Sequence, residues 1–378
     1  MPTAFNALET PALLLDEPRM MANIARLSAR LRALGVPLRP HVKTAKCVEV
    51  ALAMTGGTPG PITVSTLREA DRFAQAGFRD ITYAVGISAN KLPHVAELLA
   101  RGVRLTVILD SVEAAVAVAG FMRGRREGLD VLIEIDTDGH RAGVQPESPD
   151  LLAVAHALQA PQVALMGVLT HAGESYQCKG DEALRAMAEQ ERAGAVLAAQ
   201  RLRAAGYPAP VVSVGSTPTA LSAVDLSGVT EVRAGVFVFF DLVMAGVGVC
   251  TPEQIAVSVL TTVIGHQDHR GWTLCDAGWM ALSRDRGTAA QAVDQGYGLV
   301  CDAAGQVLPD FIVSAVSQEH GTITHRSGDP ARRLDLPVGT MLRILPNHAC
   351  ATGAQHDRYR VLGQSGEVAR EWARFGGW

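Results

Sequence analysis

The chain is short of charge. Asp, Glu, Lys and Arg make up 19% of its 378 residues and leave a net charge of −4. That balance gives no electrostatic footprint for a nucleic acid or an anionic membrane, so neither is expected as a partner. Long apolar runs are missing as well: none reaches about 18 residues, the length a membrane-spanning helix needs. The opening Met1-Pro-Thr-Ala-Phe-Asn6 has no basic region followed by an apolar core, so no secretory signal is expected and the chain reads as cytoplasmic. Six cysteines (Cys47, Cys178, Cys250, Cys275, Cys301, Cys350) occur without a CxxC pair or dense spacing, the pattern of reduced thiols. Solenoid repeats and low-complexity linkers are absent. What is present is a hydrophobic share of 48%, enough for a well-cored globule. The length is large for one domain and suits a barrel with a smaller partner.

The first two-thirds alternates apolar β-like runs with Ala/Leu/Arg-rich helical stretches. Strands are predicted at Val36–Val42, Pro61–Ser65, Ile81–Val85, Arg104–Asp110, Val131–Asp136, Val163–Thr170, Pro210–Gly215 and Thr230–Phe237. Gly77, Gly102 and Gly206 fall where the helices between them would stop. Near-continuous apolar strands alternating with helices mean a parallel sheet covered on both faces. Eight such units predict a closed, TIM-like (β/α)8 barrel over residues 12–250. From 251 to 378 the pattern changes to short β segments between Gly-containing turns, at Ile255–Gly265, Trp272–Cys275, Gly298–Cys301, Phe311–Val316 and Thr340–Ile344. They predict a second, mainly antiparallel β-domain, with the N-terminal residues 1–11 or the run Thr10–Asp16 pairing into it.

Chemistry-bearing residues fall at the predicted strand ends, where barrel enzymes keep their active sites. Lys43 ends the segment Val36–Lys43 and opens the turn Lys43-Thr-Ala-Lys46; on a strand it would share a face with His41. A lysine there can condense with a carbonyl, which suggests pyridoxal phosphate. After the seventh strand, in Val214-Gly-Ser-Thr-Pro-Thr219, Gly215 lets the backbone approach a phosphate and the amides and hydroxyls of Ser216 and Thr217 supply donors, although a plain helix cap has the same sequence. Gly235 and Val236, in Arg233-Ala-Gly-Val236 at the end of the eighth, offer a second set of donors. Arg141, in Asp136-Thr-Asp-Gly-His-Arg-Ala-Gly143, can bond the cofactor's phenolic oxygen or a substrate carboxylate, or else pair with Asp136 or Asp138. His171 and Tyr176 follow the sixth strand and can meet the ring or the phosphate. Far downstream, Leu345-Pro-Asn-His-Ala-Cys350 places His348 and Cys350 two apart on a segment read as extended. Imidazole plus thiolate suits Zn²⁺ over harder ions, though a pair so short can also be coincidence.

Taken together, Arg39-Pro-His-Val-Lys43-Thr, Glu134-Ile-Asp-Thr-Asp-Gly-His-Arg141, Thr170-His-Ala-Gly, Val214-Gly-Ser-Thr-Pro-Thr, Arg233-Ala-Gly and Pro346-Asn-His-Ala-Cys350 resemble the fold-type III pyridoxal-phosphate enzymes. The branch is that of D-serine dehydratase and D-threonine aldolase. The resemblance runs from Thr10 to Trp378. It implies Lys43 as the Schiff-base residue, His348 and Cys350 as metal ligands (Zn²⁺, with Mn²⁺ or another divalent ion as alternatives), and a homodimer. It also implies a lyase that dehydrates small D-3-hydroxy amino acids such as D-threo-3-hydroxyaspartate or D-serine to a 2-oxo acid and ammonia. Aldolases of the branch show His-x-Asp where this chain has His-x-Cys, so retro-aldol cleavage ranks second. Tyr297 faintly echoes the second base of alanine racemases, and a non-catalytic cofactor carrier is the remaining alternative. Arg284 and Arg286 could read a second substrate carboxylate, or cluster around Asp285.

Overall fold

The computed structural model describes Phe5 and residues 7–378 and divides into two compact units. One, the β-unit, takes the chain up to Ile24 and Val236–Gly376; the other, the barrel unit, takes Ala25–Gly235 with Gly377–Trp378. These limits differ from the expected 12–250 and 251–378. At the N-terminus strand β1 (Ala12–Asp16) bonds to strands of the β-unit and not of the barrel, the pairing expected for the run Thr10–Asp16.

The barrel strands are β2 (Leu38–Pro40), β3 (Ile62–Val64), β4 (Asp80–Gly86), β5 (Arg104–Leu109), β6 (Leu129–Ile135), β7 (Val163–Thr170), β8 (Val211–Val214) and β9 (Glu231–Ala234). They are parallel neighbours in the order β2-β9-β8-β7-β6-β5-β4-β3. Closure between β2 and β3 rests on one parallel bridge, His41 to Thr63, with the Val42 amide donating to the Thr63 carbonyl at 2.9 Å. The predicted barrel is therefore closed, immediately beneath Lys43. Capping explains where helices begin: Thr66 Oγ1 accepts from the Glu69 amide at 3.0 Å and Ser111 Oγ from the Ala114 amide at 3.3 Å. At Gly167, whose φ is +138°, an added Cβ would lie 2.0 Å from the Val211 carbonyl oxygen, so β7 and β8 need glycine there.

The barrel interior is not purely aliphatic. Ile108, Leu132 and Leu169 form one buried cluster. Elsewhere Arg39 bonds Glu231 at 2.7 Å and Asp80 at 2.9 Å, Ser213 Oγ donates to Glu231 at 2.7 Å, and Arg233 donates to Ser213 Oγ at 2.6 Å. A second donor nitrogen of Arg233 reaches the Thr170 carbonyl at 2.5 Å. This chain of paired charges reaches the β7 and β9 strand ends, where the site lies.

In the β-unit, β10 (Val257–Gln267), β11 (Trp272–Cys275), β12 (Gly298–Asp302), β13 (Val307–Val316), β14 (Gly321–His325), β15 (Met341–Pro346), β16 (Arg358–Leu362) and β17 (Val368–Ala373) join β1 in one sheet. Only β1–β16 is parallel. β10 is 11 residues long and changes partner along its length, pairing β1 through Val257–Leu260 and β11 beyond a bulge at Val263 and Gly265. The exchange closes β11-β14-β13-β12-β15-β10 into a ring, from which β1-β16-β17 extends. β14, β16 and β17 were not predicted, because segments such as Val-Ala-Arg-Glu-Trp-Ala carry little apolar alternation.

Candidate active site

The first barrel strand stops at Pro40, earlier than expected, and Lys43 lies in the turn that follows. Its position is set by that turn: the Lys46 amide returns to the Val42 carbonyl at 2.9 Å and the Lys43 amide donates to His41 Nδ1 at 3.4 Å. Of the two lysines, Lys46 is committed, its Nζ lying 3.2 Å from the buried Glu69 carboxylate. Lys43 instead acts on two imidazoles. Burial, followed by Lys43, Arg233 and His171, holds His41 well below the ordinary histidine range. Burial and then Lys43 lower His171 to about 3, against the opposing pull of the Gly215 carbonyl. That carbonyl can only accept, so His171 Nδ1, 3.1 Å away, carries the proton and Nε2 keeps a lone pair.

Arg141 is exposed and lies 4.0 Å from Glu134, not against Asp136 or Asp138. Asp136 is instead bonded to the amides of Asp138 and Gly139, shaping the loop. Tyr176 sits on the 3₁₀ turn Gly173–Gln177, with its ring centroid 6.3 Å from that of His171. Gly215 has φ +135°, and a Cβ there would meet the Arg233 carbonyl oxygen at 2.1 Å. Ser216 caps the helix Thr217–Ser222 in a reciprocal bond with Thr219. As a result the Ser216 amide is taken by Thr219 Oγ1 at 3.0 Å. The Gly215 amide is taken by Glu191 at 3.0 Å, and the same carboxylate oxygen accepts from Ala172 at 2.9 Å. Burial raises the Glu191 pKa, against its bonds to Thr219 and these amides. Thr217 is buried at the start of the helix. Gly235 runs close under the first strand, where a Cβ would meet the His41 carbonyl oxygen at 2.9 Å; buried Val236 follows it.

The downstream pair is in the β-unit. β15 ends at Pro346, His348 is extended (φ −136°, ψ 110°), and Cys350 lies in the first turn of the helix Ala349–Gly353. The expected extended segment is therefore wrong past His348; the backbone turns helical, and the two side chains still hydrogen-bond each other. His348 Nδ1 is 2.7 Å from Asp285 Oδ2. Burial opposes charge on this ring, but the bonds to Asp285 and Cys350 outweigh it and raise the pKa to about 11. Buried Asp241 accepts from the amides of Met244 and Ala349, both at 2.9 Å. Among the described residues no set of three His, Cys, Asp or Glu side chains is arranged to hold a metal ion. Arg286 does not pair with Asp285: it bonds Asp294 at 2.6 Å and lies over the Tyr297 ring at 5.0 Å. Arg284 lies over Trp279, 4.4 Å from the ring centroid.

Residues 15–243 match the family model described as alanine racemase, N-terminal domain, and residues 256–362 match that of "Putative serine dehydratase domain". D-threo-3-hydroxyaspartate dehydratase of Delftia sp. (strain HT23) is 56% identical over 98% of both chains. Its solved structure superposes with a TM-score of 0.96 at 55% identity, covering 100% of each chain. The chain belongs to the alanine racemase-like, fold-type III family. D-serine dehydratase of Dictyostelium discoideum is 29% identical, over 96% of this chain and 95% of that one. D-threonine aldolase of an Arthrobacter species is 26% identical, over 97% and 92%.

Within this family frame the barrel brings Lys43, His171, Arg141, Tyr176 and Gly215–Thr217 to strand ends, each after the strand expected for it. Asp285, Asp241 and Glu191 escaped the sequence reading. Asp285 was read only as a partner for its neighbouring arginines, and Glu191 lies midway along the helix Gly180–Ala204 with no motif around it. No local signal marks a carboxylate whose partner is 63 residues away.

Proposed function

We propose that this family member is a pyridoxal-phosphate- and metal-dependent lyase that dehydrates D-3-hydroxy amino acids, with D-threo-3-hydroxyaspartate and D-serine as substrates. The observation that carries the reading is the match to the Delftia dehydratase along 98% of both chains. Solved variants of that dehydratase replace a histidine and, two positions on, a cysteine with alanine, the second in a metal-free form. His348 and Cys350 have the same spacing and touch each other.

The residues present fit the cofactor. Lys43, Arg141 and Arg233 all act on the His171 imidazole, a concentration of positive charge that suits a phosphate dianion. Ser216 and Thr217 would lie beside the phosphate, with both the amide and the hydroxyl of Ser216 bonded to Thr219 in the capping turn. Imidazole and thiolate fit Zn²⁺ better than Mn²⁺. When bound, the cofactor ring supplies an electron sink and the ion a Lewis acid for the leaving hydroxyl. Lys43 would anchor the cofactor through Nζ and, once the substrate amine has displaced it, its freed amine would take the substrate α-proton. His171 stays neutral across the working pH range and offers Nε2 as an acceptor. Arg141, exposed and only loosely paired, binds a carboxylate. Loss of water followed by hydrolysis yields a 2-oxo acid and ammonia. A homodimer goes with the same reading.

Retro-aldol cleavage is the second reading, favoured by the Arthrobacter relative. Incubation with a panel of D-3-hydroxy amino acids separates the two: a 2-oxo acid with ammonia supports dehydration, whereas glycine with an aldehyde or glyoxylate rejects it.

A further inference from the structure

The loop that follows the helix Trp279–Leu282 is held against the segment that carries His348. Asn347 is buried, and its side chain accepts from the Thr288 amide at 2.9 Å and donates to the Gly296 carbonyl at 2.6 Å. One side of His348 is thereby stapled to both ends of residues 288–296. On the other side, Asp241 grips the Ala349 amide at 2.9 Å. Asp285 is held as firmly: Oδ1 accepts from the Gly287 amide at 2.8 Å, and its own amide donates to Ser283 Oγ at 3.2 Å. Ser283 has φ +76°, a left-handed conformation that an L-residue adopts only when its surroundings impose it. The remaining carboxylate oxygen, Oδ2, meets His348 Nδ1 at 2.7 Å.

We propose that Asp285 is the positioning residue of the metal site: its carboxylate holds the Nδ1 proton of His348, so that Nε2 is the nitrogen presented to the ion beside Cys350. The inference rests on the reading of His348 and Cys350 as metal ligands. A carboxylate only accepts, which fixes the tautomer and removes Nδ1 from coordination. It also fixes the ring plane and makes the opposite nitrogen more basic. Outer partners of this kind set metal affinity by roughly 10–100-fold.

The test is Zn²⁺ affinity, measured by competition with a chromophoric chelator on holoenzyme stripped of its ion. The comparison uses wild type, His348→Ala, Asp285→Asn, Asp285→Ala and, as a control in the same loop, Asp294→Ala. One Zn²⁺ per chain in wild type and loss of binding in His348→Ala would uphold the underlying metal reading. On that background Asp285→Asn should weaken binding by ~10-fold and Asp285→Ala by up to ~100-fold, with the cofactor absorption unchanged. Asp294→Ala should keep wild-type affinity, since Asp294 pairs with Arg286 and not with His348. Wild-type affinity in both Asp285 variants would overturn the positioning role alone. So would an equal loss in Asp294→Ala, which would make loop integrity the cause. Full binding by His348→Ala would overturn the metal reading itself.

Discussion

The barrel mouth and the His348 loop are built by different means. At the mouth, Lys43, His171 and Gly215 each follow a parallel strand, so the barrel carries them to one end whatever their side chains do. In the β-unit the place of His348 depends on side-chain bonds to residues distant in sequence: Asp285, 63 residues before it, and Asn347 holding Thr288, 59 residues apart. Topology positions the first site. Individual hydrogen bonds position the second. Substitutions at the mouth should therefore remove chemistry and leave the frame, whereas those around His348 should loosen a proposed ligand that remains present.

The largest effect expected at the mouth is from Lys43→Ala. Turnover should vanish while circular dichroism and the melting temperature hold, because a half-buried side chain in a turn is removed and not a core residue. A large loss of stability would break the distinction. Arg39→Ala makes the opposite trade, since its guanidinium bonds both Glu231 and Asp80 inside the barrel. Glu231 loses its bonded cation while Asp80 keeps Arg104, and the loss should cost about 3 kcal/mol in urea unfolding.

A smaller, selective effect is expected in the β-unit. Arg286 is occupied by Asp294, which leaves exposed Arg284, stacked over the Trp279 ring, as the candidate for the second carboxylate of 3-hydroxyaspartate. Arg284→Ala should raise KM for D-threo-3-hydroxyaspartate by roughly 10-fold, the scale of one charge-assisted bond, and spare D-serine. Equal losses on both substrates would move Arg284 from specificity to structure.

The smallest effect is a slope. His171 stays neutral in the folded chain down to about 3, while the unfolded imidazole takes up a proton near 6.5. The unfolded state thus binds more protons below the latter value, and stability is complete above it and lost as pH falls toward the former. His171→Asn should flatten part of that acid slope in urea midpoints measured between pH 7.5 and 4.5. An unchanged slope would place the burden on other groups.

The same contrast explains what the sequence disclosed. All eight barrel strands were legible, because buried parallel strands read as apolar runs and their ends mark the mouth. Closure was expected from the count of eight units, but the single bridge that makes it, between His41 and Thr63, was not legible. The motif Pro346–Cys350 was read as a metal pair on an extended segment, and that shape was misread, because a helix beginning at Ala349 has no strong local signature. Nor could spacing reveal that Glu191 takes the amide of Gly215, the residue expected to let a phosphate approach the backbone.

Borohydride reduction followed by peptide mapping, on enzyme before and after chelation, tests the division of labour most directly. Label on Lys43 in both samples, with 2-oxo acid formed only by the sample that keeps its ion, is the predicted result. Label on Lys46, no label at all, or full turnover by the stripped enzyme would contradict it.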